Sequence, residues 1–271
     1  MDEFRDRTAV VTGGASGIGL ALARAFARRG ARLVLADVDG ETLASAEAEL
    51  REAGAEVLGV RTDVSDRAAV HALADAAFSR FGAVHVLCNN AGIATFGELA
   101  KAPREDWEFT IDVDLWGVVN GIEAFVPRMI EQQQGGHVVN TASMAGLVGM
   151  RWLGIYCAAK FAVVGLTEAL HRELEPHGIG VSVLCPMIVA TNIAENSRRL
   201  RPGALHVPAA GAASSPPAGA MLGSTVSPDD VARRVVRAIE RKRLYVLTHP
   251  EQREILRRRA ARLDAVFEDW D

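Results

Sequence analysis

Lysine is nearly absent from this chain. Of its 30 basic residues only Lys101, Lys160 and Lys242 are lysines, so a generic positive charge is supplied here by arginine. Tyrosine is scarcer still, with two residues, Tyr156 and Tyr245. The three cysteines, Cys88, Cys157 and Cys185, lie far apart with no CxxC spacing. That excludes a clustered thiolate zinc site or a disulfide framework, and it suits a reducing compartment. The histidines His71, His85, His137, His171, His177, His206 and His249 show no HExxH or similar spacing, so no metal is expected. No apolar run is long enough to span a bilayer, and the opening "MDEFRDRTAVV" is charged where a secretory leader would be apolar. A cytoplasmic location is therefore the expectation. A net charge of −4 gives no reason to expect nucleic acid or an acidic membrane as partner. The C-terminal "RRRAARLD" (257–264) reads as a solvated face.

What is present is a core. The 271 residues are 49% hydrophobic and 24% charged, enough for one large α/β domain. Short β-branched runs alternate with helical patterns. "TAVVTG" (8–13), "RLVLAD" (32–37), "EVLGVR" (56–61), "VHVLCN" (84–89), "GHVVNTAS" (136–143) and "GVSVLCP" (180–186) read as buried strands. Helices are expected at 17–30, 41–53, 66–81, 104–133 and 154–176. Strict alternation with continuously apolar strands predicts a parallel sheet covered on both faces, a Rossmann-like doubly wound single-domain α/β fold over residues 1–271. The alternation breaks after Pro186. Residues 192–226 are rich in Pro, Gly, Ala and Ser, and are expected to be an irregular substrate lid or a floppy insertion. Ser227 and Pro228 then read as N-cap and N1 of a further helix, followed by a strand at 244–248 and a C-terminal helix at 250–268.

"TGGASGIG" (12–19) follows the first strand and opens the first helix. Its glycines, Gly13, Gly17 and Gly19, permit positive φ and close backbone approach, and the helix N-terminus presents unpaired N–H groups suited to a pyrophosphate. Asp37 ends the second strand, where an acid hydrogen-bonds ribose hydroxyls; it could also simply start a turn. With Val38 and Asp39 after it, and Ser16 in the turn, no base is at hand for a 2′-phosphate, which favours NAD over NADP. Asp63 could contact adenine or cap a helix.

The turn, "NNAG" (89–92), Ser143 and Tyr156-x3-Lys160 occur in one order along the chain. Together they resemble the short-chain dehydrogenase/reductase family in its shorter branch, over about residues 6–191. The resemblance implies a cofactor site lined by Gly13, Ser16, Gly17, Ile18, Gly19, Asp37, Asp63, Val64, Asn90, Ala91, Gly92, Pro186, Ile188 and Thr191. It implies a catalytic set of Ser143, Tyr156 and Lys160, the latter two also touching the cofactor. It further implies a homodimer or homotetramer. Two departures stand out: "DVDLWG" places Asp114 where the family usually has Asn, and Pro186 is followed by Met187 where it usually has Gly. The expectation for Asp114 is that its backbone carbonyl serves a proton relay while its carboxylate points elsewhere.

The chemistry explains the pairing. A free tyrosine has a pKa of about 10, roughly 3 units too high for a base at neutral pH. A cation one helical turn away favours the phenolate, and residues i and i+4 share a helix face. Lysine, a compact point charge, suits this position better than an arginine fork. Ser143 would hydrogen-bond the substrate oxygen as charge develops. The expected pocket residues Ile93, Phe96, Leu147, Met150, Trp152, Leu153 and Met187 are mostly apolar, so a lipophilic secondary alcohol or ketone is the expected substrate. Arg151 is either an anion contact or an exposed charge. Two other readings stay open. One is a 3-oxoacyl (carrier-protein) reductase, with Arg128 and Arg172 docking an acidic carrier. The other is a catalytically idle NAD-binding regulator.

Overall fold

The computed structural model describes residues 4–201 and 223–268. Seven strands form one all-parallel sheet: β1 (Thr8–Thr12), β2 (Arg32–Asp37), β3 (Val57–Arg61), β4 (Val86–Asn89), β5 (Gly136–Thr141), β6 (Ile179–Cys185) and β7 (Tyr245–Leu247). Their spatial order is β3-β2-β1-β4-β5-β6-β7, so the chain winds outward from β1 in one direction, then returns and winds from β4 in the other. This is the doubly wound α/β fold the alternation predicts.

Successive side chains of a strand face opposite ways. On one side, Val11, Leu33 and Leu35 meet Leu22 and Phe26 of α1 (Gly17–Ala27), Leu43 and Leu50 of α2 (Gly40–Glu52), and Val235 and Ile239 of α8 (Pro228–Glu240). On the other, Val10, Val34, Leu87, Val138 and Val181 meet Val70 and Leu73 of α3 (Arg67–Phe81). Phe125 and Met129 of α5 (Gly117–Glu131) and Leu170 of α6 (Gly154–Leu174) complete that face. Burying both faces explains why the strands are apolar without alternation.

Caps mark several helix starts. Asp39 caps α2, Asp66 caps α3, and Ser227 caps α8 with Pro228 behind it. The cap of α3 is Asp66, so Asp63 is free of that duty; its Oδ1 accepts instead from Ser65 N at 2.9 Å and Ser65 Oγ at 2.6 Å.

Two expectations are corrected. The helix expected over 104–133 is three pieces: α4 (Arg104–Ile111), a π-helical stretch Asp112–Trp116, and α5. The segment expected to be irregular contains a helix, α7 (Ile193–Leu200), and a lone bridge between Val189 and Val226. The remainder of that expected lid, 202–222, lies outside the described residues. The C-terminal helix is α9 (Gln252–Asp264), extended by a turn of 3-10 helix. Among the described residues no helix is long and apolar enough to cross a membrane, and no group of His, Cys, Asp and Glu is placed to hold a metal ion.

Candidate active site

A cavity of about 570 Å³ opens where the carboxyl ends of β1 and β4 part, the point at which the winding reverses. Strand ends there leave loops free to face a ligand, as the doubly wound fold provides. One wall is the glycine turn. Gly13 has φ +60° and Gly17 φ +51°, both in the region that favours glycine. A Cβ on Gly13 would stand 2.9 Å from Ala91 Cα, and one on Gly19 would stand 2.0 Å from Gly13 O. Only glycine lets the turn fold this tightly against the next loop. Gly19 is thereby a packing residue behind the turn, whereas Gly13, Ser16, Gly17 and Ile18 line the cavity.

The facing loop, 89–92, is pinned by Thr12. Its Oγ1 accepts from Asn90 N at 2.9 Å and Ala91 N at 3.1 Å, while Asn90 Nδ2 donates to Thr12 O at 3.0 Å. Asp37 faces the same cavity. Its carboxylate accepts from Ala15 N at 3.1 Å and Asp39 N at 3.2 Å, so strand end and glycine turn are tied together. Burial raises the Asp37 carboxyl, partly offset by these backbone bonds. Asp63, Val64, Asn90, Ala91, Gly92, Pro186, Ile188 and Thr191 also line the cavity.

At its inner end α6 presents Tyr156 and, one turn on, Lys160. Ser143, just beyond β5, lines the same space. The Ser143 hydroxyl accepts from Ala145 N at 3.1 Å and donates to Pro186 O at 3.4 Å, so the residue also fixes the loop after β6. Lys160 is 3% exposed; its Nζ donates to Thr141 O at 3.2 Å and lies 5.4 Å from the Tyr156 ring centre.

The expectation that the Asp114 carboxylate points elsewhere is overturned. Its side chain is fully buried and points at the lysine, with Oδ2 3.6 Å from Lys160 Nζ and Oδ1 accepting from Ile93 N at 2.8 Å. A carboxylate shut away from water must turn toward whatever donors and cations its surroundings offer, and here those are Lys160 and the Ile93 N–H. Gly92 leaves the space: a Cβ there would meet Asp114 Oδ1 at 3.0 Å and Lys160 Nζ at 3.4 Å. Burial raises the Asp114 carboxyl, against the pull of Lys160. Burial also pushes the Tyr156 phenol above its ordinary value, Asp114 pushes it further, and a hydrogen bond with Ser143 pulls it back.

The outer part of the cavity is apolar: Ile93, Phe96, Phe109, Val113, Met150, Leu153, Met187 and Ile255. Leu147 and Trp152, expected here, are elsewhere. Leu147 packs under α6 against Val163 and Val164, and Trp152, at φ +70°, stacks beneath the Arg151 guanidinium. Arg151 is exposed. Arg128 pairs with Asp75 at 2.8 Å and stands 3.8 Å over the Phe78 ring.

Sequence reasoning missed a buried corner between β7 and α9. Gln252 Nε2 donates to Cys185 O at 2.7 Å, and His249 Nε2 bonds Ile188 O at 3.1 Å. Gln252 Oε1 accepts from Thr248 N and His249 N at 2.9 Å each. The signal was thin: polar residues at a helix start, with nothing in their spacing to name the partner.

Residues 7–201 match the short chain dehydrogenase family. The chain belongs to the short-chain dehydrogenase/reductase family. Among structures it resembles a short-chain dehydrogenase/reductase from Burkholderia phymatum solved in complex with NAD, at 44% identity and TM-score 0.91 over 98% of this chain and 96% of that one. Among sequences it is 39% identical over 259 residues to a C alpha-dehydrogenase of Sphingobium sp. (strain NBRC 103272 / SYK-6), covering 94% of this chain and 84% of the relative. It is 38% identical over 256 residues to a 1-deoxy-11-beta-hydroxypentalenate dehydrogenase of Streptomyces exfoliatus, covering 94% and 87%. Ser143, Tyr156 and Lys160 line one cavity, with Met187 on its wall and Asp114 buried beside Lys160.

Proposed function

We propose that the chain is a single-domain NAD-dependent oxidoreductase that interconverts a lipophilic secondary alcohol and its ketone, with Tyr156 as general acid and base. The supporting observation is convergence: Ser143, Tyr156 and Lys160 share one cavity with the glycine turn and Asp37. The residues suit NAD. The turn offers backbone N–H groups at the start of α1, no Cβ fits at Gly13 or Gly19, and Asp37 stands at the end of β2 as an acceptor that would repel a 2′-phosphate. Gly13, Ser16, Gly17, Ile18, Asp37, Asp63, Val64, Asn90, Ala91, Ile188 and Thr191 would hold it.

When bound, NAD supplies the hydride acceptor and, oxidised, a positive charge. Tyr156 takes the alcohol proton as phenolate or gives it to the ketone as phenol. Its surroundings favour the phenol, through burial and the Asp114 anion. Lys160 works against that, since a cation beside a phenol favours phenolate. Ser143 turns its O–H from Pro186 O to the substrate oxygen and stabilises charge there. The phenol is the form that protonates a ketone, and the phenolate is the form that takes the proton of an alcohol. The apolar outer cavity excludes water and takes the substrate's hydrocarbon.

The test is a panel of secondary alcohols with NAD and of ketones with NADH, followed by NADH absorbance, for the wild type and Tyr156→Phe. Turnover that vanishes in the variant is the expected result. A purified protein that binds NADH yet turns over none of the panel would favour the regulator reading.

A further inference from the structure

Two cations line the cavity among the described residues, Lys160 and Arg199, and the mechanism uses only the first. Arg199 stands on α7, with its Nη1 2.6 Å from Asp39 Oδ2. Asp39 is a fixed post. Its Oδ1 accepts from Glu41 N and Thr42 N at 3.1 Å each, capping α2. Those backbone bonds, with Arg199, hold its carboxyl below the usual range, so Asp39 is an anion at neutral pH.

The rest of α7 is fastened at the other end of the cavity. Ser197 Oγ accepts from Ala94 N at 2.8 Å, and Arg201 pairs with Asp106 near the start of α4. The root of the segment presses on the glycine turn, where a Cβ on Gly17 would meet Thr191 Cγ2 at 3.1 Å. Arg199 and Asp39 therefore join two walls of one groove. Asp37, two residues before Asp39, stands on the same wall. Arg199 is 53% exposed and the Asp39 side chain 14%, which puts the pair at the groove's edge.

We propose that Arg199 is a cofactor-retaining residue: its pair with Asp39 ties α7 across the groove at the adenosine-ribose end and slows release of bound NAD(H). This rests on the NAD reading above. Arg199 acts through Asp39, so it is a positioning residue, and both partners must be present for the effect. Asp39 also neutralises Arg199, which keeps that basic residue from welcoming a 2′-phosphate.

The test is NADH release by stopped-flow fluorescence, with bound NADH chased by excess NAD, in wild type, R199Q, R199K, D39N and the double variant R199Q/D39N. Asn also caps helices, so D39N preserves the start of α2. R199Q and D39N should each speed release about two- to fivefold, the scale of a partly exposed ion pair. The double variant should be no faster than either single one. R199K should release near the wild-type rate, because a single contact is involved, and 1 M NaCl should bring the wild type toward R199Q. Unchanged release in R199Q overturns the proposal. So does faster release in R199Q with none in D39N, which would make Arg199 a direct partner of the cofactor phosphates. No saturable NADH signal in the wild type overturns the cofactor reading itself, and the clasp with it.

Discussion

Asp114→Asn tests the most unusual feature of the site. The substitution keeps a carbonyl oxygen for the Ile93 N–H and removes the charge beside Lys160. Lys160 Nζ lies 5.4 Å from the Tyr156 ring centre. At an effective dielectric near 20, a cation at that range favours phenolate by about 3 kcal/mol, or about 2 pH units. The Asp114 carboxylate, 3.6 Å from Lys160 Nζ, carries the opposite charge and raises the phenol, so it opposes the lysine's field there. If about half is cancelled, the variant gains about one unit. The sign is fixed: with no anion opposing it, phenolate forms at lower pH. The ionisation that governs alcohol oxidation should therefore move down by about one unit in Asp114→Asn. The assay is the pH dependence of kcat/KM for oxidation, with NADH binding measured beside it to show an intact site. Because burial raises the Asp114 carboxyl, the wild type itself loses the anion as pH falls, and the two proteins should converge on the acid side. An unmoved or upward-shifted ionisation would refute the reasoning.

Tyr156→Phe should reduce turnover by at least about a hundredfold while leaving the NADH Kd within a few-fold, since general acid–base transfer carries about that much and more; comparable kcat values would remove the phenol from the reaction. Asp37→Ala should narrow the preference for NADH over NADPH, chiefly through a lower KM for NADPH, because the acceptor and the repulsion go together. Gly19→Ala should destabilise the fold and weaken NADH binding, because the new methyl falls 2.0 Å from Gly13 O and the turn must open; an unchanged Tm would show that the turn yields freely.

The sheet was legible because its inner strands β1, β2, β4, β5 and β6 are buried on both faces, so apolar residues run continuously in them and the helices between keep their own period. The order β3-β2-β1-β4-β5-β6-β7 follows from such crossovers and their handedness. Tyr156, Lys160, Ser143 and the glycine turn were singled out by the resemblance of their order along the chain to a family pattern, and the structure brings them to one cavity. The misses have a common origin in tertiary context. The widened turn Asp112–Trp116 adds no residue type that a helical period would flag. The eight residues of α7 are too few to be helical alone and are held by Ser197 and Arg199 within it, and by Arg201 just after it, reaching other elements. Leu147 and Trp152 leave the cavity because the fold sets one beneath α6 and the other under Arg151, which their residue types do not reveal. Nothing in the run "DVDLWG" says that Asp114 looks inward at Lys160, because that depends on Gly92 from a distant loop.

The loop from Cys185 to Ile188 is gripped almost wholly by its carbonyl oxygens: Gln252 takes that of Cys185, Ser143 and Met144 N that of Pro186, and His249 that of Ile188. Main-chain oxygens are the same for every amino acid. Position 187 can therefore change its side chain without loosening the anchorage, and new substrate shapes can be admitted while the reacting groups stay where they are.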